Sequence, residues 1–358
     1  MASRPRPLQL AGGPSRALRR ATSFRIGTRA AHRVALYNER RAPDLEHMFP
    51  RGIRRRAGRE TPAMPEGPEI LRAADTVARA IAGRVATRVQ FTLSRLARHG
   101  PALTGRRVEA VEARGKALLL HFAGGTSVYT HNQLYGRWYV VRPERPPRTN
   151  RELRLAIETR DAWALLYSAS DLEVLPRERL ARHPYLAKLG LELLAPATTQ
   201  ATVRARLDEP RFQKRTLAAL LLDQGFLAGL GNYLRSEALF VAGLRPDAKL
   251  ADLDAAARDR LACAALDLTR QSYHTSGITN DLERAAQLKA SGLTFGRYRH
   301  HVFDRDGEPC WTCGATVRRR DVAGRAVFYC GTCQPSAGAS ARGAPEETRR
   351  RPVSRRRY

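Results

Sequence analysis

Two short stretches of this 358-residue chain carry residues that could do chemistry. The first is Met64-Pro65-Glu66-Gly67-Pro68-Glu69-Ile70. If translation began at Met64 and the initiator were trimmed, Pro65 would be a free secondary amine beside a carboxylate. A terminal α-amino group titrates at about 8, so part of it is unprotonated at neutral pH and can attack an electrophilic carbon. The adduct of a secondary amine is an iminium, which holds its charge without a proton. Glu66 would then move protons around the reacting centre. The plainer reading of the same residues is a helix start, where Pro sits well in the first turn and acidic residues suit the dipole.

The second stretch holds Cys310-x-x-Cys313 and Cys330-x-x-Cys333, with 16 residues between the pairs. Such spacing fits a tetrahedral structural zinc site on a two-hairpin ribbon, so one structural Zn2+ per chain is expected. Four thiolates leave no open position, and the metal should fold the ribbon without taking part in bond breaking. With four cysteines present, the neighbouring His300 and His301 are expected at the surface. Cys263 lies in a helical pattern and reads as a small core residue.

Charge indicates the partner. The formal net charge is +29, and 58 of the 63 basic residues are Arg, the five lysines being Lys116, Lys188, Lys214, Lys249 and Lys289. Residues 1 to 63 carry 15 Arg against four acids and residues 334 to 358 seven Arg against two, which leaves +13 on residues 64 to 333. That remainder still points to a polyanion. The Arg bias, with abundant Ala, Pro and Gly, also fits codon composition. Cysteines held mostly in C-x-x-C pairs suit a reducing compartment rather than a disulfide scaffold. The longest apolar candidate, Leu217 to Leu230, is broken by Asp223 and Gln224, so no membrane span is expected.

The elements that must position these residues are legible as patterns. Residues 1 to 63 are rich in Arg, Pro and Gly without periodicity, and residues 335 to 358 form a similar basic tail; both read as disordered. For the leading segment three readings compete: a start placed too far upstream, a DNA-binding tail, or a transit-like presequence, its first 38 residues containing no acid. The misplaced start is favoured, because in a chain that keeps the segment the Pro65 nitrogen is an amide. Ile70, Ala74, Val77, Ala78 and Ile81 predict a helix over 68 to 82. Short alternating runs between Val85 and Val174 predict an antiparallel sandwich of about eight strands, closing a domain at 64 to 190. Helical patterns at Val203 to Leu207, Arg215 to Leu222, Leu227 to Phe240 and Asp252 to Leu268 predict a second domain at 191 to 270. Within it Gly229-Leu230-Gly231-Asn232 is either an ordinary turn or a phosphate-binding helix start. Residues 271 to 302 read as a flexible connection, and 303 to 334 as the ribbon. The fold class is therefore α+β and multidomain.

Taken together, PEGPEI at 65 to 70, ARGKALL at 113 to 119, HNQLYG at 131 to 136, LLYSASD at 165 to 171, LLLDQGFLAGLGNYLRSE at 220 to 237 and the terminal cysteines resemble the formamidopyrimidine-DNA glycosylase / endonuclease VIII family. The resemblance covers residues 64 to 334, and PEGPEI and QLY look like its bacterial endonuclease VIII branch. It implies a bifunctional DNA glycosylase and apurinic/apyrimidinic lyase of base excision repair, acting as a cytoplasmic, nucleoid-associated monomer on double-stranded DNA with oxidised bases or abasic sites. The helical domain becomes a helix-two-turn-helix module.

The resemblance also implies roles. Pro65 attacks C1′ of an extruded nucleotide while Glu66 handles protons. Lys116, a turn lysine on its own evidence, contacts phosphate and donates a proton during β-elimination. Arg325 grips phosphate with a bidentate fork and assists δ-elimination. Gln133, Leu134 and Tyr135 fill the gap left in the stack. Asn232 contacts the backbone, Lys188 stands where relatives carry Arg and contributes only a point charge, and Glu69 lies near the reacting sugar. Oxidised pyrimidines are the expected lesions. The alternatives are a formamidopyrimidine-type enzyme for oxidised purines and, with residues 1 to 63 retained, a non-catalytic zinc-ribbon DNA-binding protein.

Overall fold

A computed structural model describes residues 64–336; of the two terminal segments assigned above as disordered, residues 1–63 and 337–358 lie outside the described residues. Helix α1, Gly67–Ile81, opens with Pro68 in its first turn, and the Glu69 carboxylate accepts the Glu66 N–H at 3.1 Å. Ile70, Ala74, Val77 and Ile81 form its buried stripe, as their spacing requires.

That stripe packs against a sandwich of two four-stranded sheets. One contains β1 (Arg88–Phe91), β5 (Arg137–Val141), β6 (Leu153–Glu158) and β7 (Trp163–Tyr167) in the order β1-β6-β7-β5. The other contains β2 (Val108–Arg114), β3 (Ala117–Phe122), β4 (Thr126–His131) and β8 (Asp171–Pro176) in sequence order. All pairings within the two sheets are antiparallel. Strand β3, ALLLHF, is buried along its whole length. Leu118, Leu120 and Phe122 enter the sandwich core, whereas Ala117 and Leu119 face a second cluster with Tyr129 and Leu186. Because β3 is central, the β2–β3 turn bearing Lys116 is fixed on both sides. The β4–β5 loop bearing Gln133 starts from His131, which pairs with Ala117, so both emerge from one end of the sheet.

A two-residue parallel ladder, β9 (Leu191–Glu192) with β10 (Leu227–Ala228), leads into the helical domain. Here α2 (Gln200–Asp208) is capped by Thr199, and α3 is Asn232–Ala242. Helix α4, Ala255–His274, is capped by Asp254, which accepts the Ala257 N–H at 2.7 Å. The helical run expected from Leu227 begins only at Asn232, because residues 227–228 join the ladder and Gly229 has φ +94, which a helix cannot use. Helix α3 is buried on almost every face, between α4, the ribbon and the start of the chain's first domain.

Three expectations are corrected. Residues 271–302 are folded: α4 runs to His274, then α5 (Leu282–Ala290) is capped by Asp281 and a short turn of helix covers Phe295–Tyr298. The tie is Glu237 on α3, whose buried carboxylate accepts the N–H groups of His301, Val302 and Phe303 at 2.7 to 2.9 Å and the Thr279 hydroxyl at 2.7 Å. His300 is accordingly buried, bonded to Thr279 and packed on Tyr233. His301 packs against Phe240. Cys263 is only half-buried, its thiol 2.9 Å from Asp267. The ribbon pairs β11 (Val317–Val322) with β12 (Arg325–Cys330), and a second bridge joins Pro309 to Thr316.

Candidate active site and nucleic-acid interface

Glu66 lies at the centre of the site, only 3 % exposed. Its side chain docks on the N-terminus of α3, accepting the N–H groups of Tyr233 at 2.8 Å and Leu234 at 3.3 Å. Free N–H groups in a first helical turn are anion sites, and here the anion is supplied by the chain itself. Burial pushes the Glu66 carboxyl up to about 7; the nearby Lys116 charge and the two N–H groups oppose the rise, and Glu69 adds to it.

The approach is possible because glycines meet. The Gly67 N–H donates to the Gly229 carbonyl at 2.8 Å, and a Cβ on Gly67 would lie 2.9 Å from the Gly229 Cα. A Cβ on Gly231 would lie 2.3 Å from the Glu66 carboxyl carbon. The GLGN stretch is thus the seat of the catalytic candidate as well as a helix start.

Lys116 is 8 % exposed and held below the ordinary lysine range by burial first, with the Arg325 charge lowering it further and Glu66 and Glu69 pulling the other way. Its hairpin is clamped from outside: the Tyr185 hydroxyl accepts the Lys116 N–H at 2.8 Å, and Glu192 pairs with Arg114 at 2.7 Å. Glu69 receives the Tyr233 phenol at 3.1 Å and Arg72 at 3.1 Å. Arg325 opens β12 with its guanidinium 3.9 Å from the Met64 sulfur. Pro65, Glu66, Glu69, Lys116 and Arg325, contributed by three separate stretches of chain, therefore converge.

The remaining candidates lie around this centre. Gln133 is exposed with φ +50, Leu134 is half-buried and Tyr135 is 60 % exposed. Their loop is braced by the Ser170 hydroxyl, 3.0 Å from the Gln133 Oε1, and by Arg151 on the Tyr135 carbonyl. Two exposed side chains flanking a half-buried leucine on a braced turn suit insertion into a stack. Lys188 is exposed at the end of a turn of 3-10 helix. Asn232 begins α3, and its Oδ1 accepts from Arg235 at 2.5 Å. The sulfurs of Cys310, Cys313, Cys330 and Cys333 all lie within 4.8 Å of one another, with Cys310 to Cys333 at 3.9 Å and Cys313 to Cys330 at 3.5 Å. Tetrahedral coordination at about 2.3 Å per Zn–S bond requires S–S edges of about 3.8 Å, so the cluster can hold a metal ion of that size.

The model for the formamidopyrimidine-DNA glycosylase N-terminal domain matches residues 64–170, and that for the family's H2TH domain matches residues 189–283. Two relatives, each named endonuclease 8, from Escherichia coli O17:K52:H18 (strain UMN026) and Shigella sonnei (strain Ss046), are 46% identical over 271 residues, which is 76% of this chain and 100% of each relative. The chain belongs to the formamidopyrimidine-DNA glycosylase / endonuclease VIII family. It is therefore a DNA glycosylase with apurinic/apyrimidinic lyase activity, an enzyme of base excision repair. Solved structures of Lactococcus lactis Fpg share the fold. The complex with DNA containing N7-benzyl-Fapy-dG covers 76% of this chain and 100% of its own at TM-score 0.62 and 21% identity. The complex with abasic-site DNA covers 75% and 99% at TM-score 0.62 and 21% identity. Among the described residues no helix is long and apolar enough to cross a membrane.

Sequence reasoning missed the groups of this glycosylase that hold the candidate residues in place. Arg235 has a fully buried side chain that donates to Asn232, to the Ala218 carbonyl at 3.0 Å and to the Arg325 and Ala326 carbonyls at 3.3 and 3.1 Å. It ties the first turn of α3 to the ribbon strand. A charged residue inside the apolar run NYLRSEALF was the available signal, since a charge is buried only with partners.

Proposed function

We propose that this enzyme removes oxidised bases, mainly pyrimidines, through an iminium formed by Pro65 as the terminal residue, and cuts the strand by β,δ-elimination. The observation that carries the reading is the seating of Glu66: a carboxyl raised to about 7 is fixed one residue from Pro65 by the N-terminus of α3. At that value it exchanges protons in both directions at neutral pH. The match to the family's N-terminal domain begins at Met64, which supports Pro65 as the working terminus.

In this scheme the Pro65 nitrogen bonds to C1′ as the base departs with a proton and the sugar ring opens, leaving the iminium. Loss of a C2′ proton then expels the 3′ phosphate, and a second elimination expels the 5′ phosphate. Glu66 and Lys116 serve the proton transfers, Lys116 and Arg325 hold the phosphates, and Asn232 and Lys188 hold the flanking backbone. Gln133, Leu134 and Tyr135 occupy the gap in the duplex. The metal is zinc, which supplies no chemistry beyond folding the ribbon, and the enzyme works as a monomer.

The test is borohydride trapping on duplexes carrying thymine glycol or an abasic site. Protein beginning at Pro65 should give a covalent adduct mapped to that residue, and protein with the Pro65 nitrogen in a peptide bond should give none. Failure of the Pro65-terminal protein to form the adduct would reject the mechanism, and faster excision of an oxidised purine in the paired assay would reject the lesion class.

A further inference from the structure

One residue touches both carboxylates of the site. The backbone N–H of Tyr233 donates to Glu66 Oε1 at 2.8 Å, and its phenol lies 3.2 and 3.1 Å from the two Glu69 oxygens. The same phenol is 2.8 Å from the Ser272 hydroxyl on α4. The ring is 1 % exposed, with the His300 ring 5.3 Å from it and the Arg299 guanidinium at 5.5 Å. Burial and the two carboxylates push the phenol well above its ordinary value, so it remains a donor throughout the working pH range. A phenol has one proton to give, and Ser272 can donate to it while it donates to Glu69.

We propose that Tyr233 is a positioning residue that sets the place of Pro65 through Glu69. The path is short and polar. The phenol fixes the Glu69 carboxylate, Glu69 accepts the Glu66 N–H at 3.1 Å, and that nitrogen belongs to the peptide bond joining Pro65 to Glu66. Meanwhile the backbone of Tyr233 holds the Glu66 side chain from the other side. The first turn of α3 thus registers nucleophile and proton carrier against one template. Arg72 alone, reaching one Glu69 oxygen at 3.1 Å from the same helix, leaves the carboxylate free to swing. This inference rests on Pro65 as the nucleophile.

Its test is the single-turnover rate of borohydride-trappable adduct on an abasic-site duplex, using protein beginning at Pro65. Tyr233→Phe keeps the ring and removes the donor; the rate should fall about tenfold with duplex affinity unchanged, because a hydrogen bond to a charged group is lost from positioning alone. In a Glu69→Ala background, which removes the acceptor, the same change should cost nothing further, since the two residues act in series. Ser272→Ala, which loosens the phenol without touching the ring, should slow the reaction less and in the same sense, and it carries the test should Tyr233→Phe melt early. Equal rates for Tyr233→Phe and wild type, or losses that multiply in the double variant, would overturn the proposal. Absence of adduct from the wild-type protein would instead refute the Pro65 reading, and this proposal with it.

Discussion

Gly67 and Gly229 stand backbone to backbone, the amide of one 2.8 Å from the carbonyl of the other, with 2.9 Å between a Cβ built on the first and the Cα of the second. This contact joins the opening of α1 to the turn before α3 and leaves no room for a side chain. Two residues on, the limit tightens: Gly231 has an extended backbone, φ −139, which any residue can adopt, yet a methyl group there would lie 2.3 Å from the Glu66 carboxyl carbon. Gly231→Ala should therefore fold and fail. The Glu66 side chain must leave its seat, and a displacement of about 1 Å at a reacting group costs about a hundredfold. Trapping rate and thermal midpoint measured on the same preparation check this; a full rate would show that Glu66 does not need that seat.

The Glu66 carboxyl titrates near 4.5 when exposed and at about 7 in the fold, so the folded state holds its proton over that window. Its contribution to stability is present in full below 4.5 and is lost as pH rises through about 7. Activity should show a limb near neutrality. Glu66→Gln should flatten that limb, abolish the matching slope in stability, and lower the rate by on the order of a hundred- to ten-thousandfold. Urea midpoints and single-turnover rates from pH 5 to pH 9 provide both curves.

The parts of this enzyme that follow from repetition are legible in its sequence. Ile70, Ala74, Val77 and Ile81 mark α1, short alternating runs mark the sandwich of two four-stranded sheets, and paired cysteines mark the ribbon. Residues 271–302 read as a flexible connection, yet they are ordered, because their order comes from one distant carboxylate, Glu237, rather than from periodicity of their own. His300 shows the same failure, being buried by partners on α3 and beside Thr279. At the site, the candidates could be named from motifs, but that Glu66 binds across domains to the helix opened by GLGN depends on a contact between residues 167 positions apart.

Arg235 offers a test of how the helical domain and the ribbon are joined. Its guanidinium satisfies carbonyls of Ala218, Arg325 and Ala326 and orients Asn232, while burial lowers it to about 10. Arg235→Met removes an expensive buried charge but strands several carbonyls at about 1–3 kcal/mol each, so the net loss should be about 2 kcal/mol. Asn232 and the strand bearing Arg325 would lose register together, and affinity for an abasic-site duplex should fall about tenfold. Denaturant midpoints and filter binding measure the two effects; a stable variant that binds normally would show that the ribbon is held by its apolar contacts alone.

The ribbon's own core is small, built on Val302, Val317, Phe328 and the buried Cys310 and Cys330. Too little apolar surface is present to order it without the metal, and binding energy at such a site is folding energy. Removing the ion should therefore unfold the hairpin of β11 and β12, taking Arg325 away from Glu66 and Lys116, while the sandwich and its α1 stay intact. Elemental analysis should find one zinc per chain. Chelation, or Cys313→Ser, should reduce strand cutting by tenfold or more while leaving most far-ultraviolet dichroism in place, and zinc, not magnesium, should restore cutting to the chelated protein. Cobalt in its place should give the visible absorption of a tetrahedral thiolate site. A metal-free protein that cuts normally would separate Arg325 from the reaction.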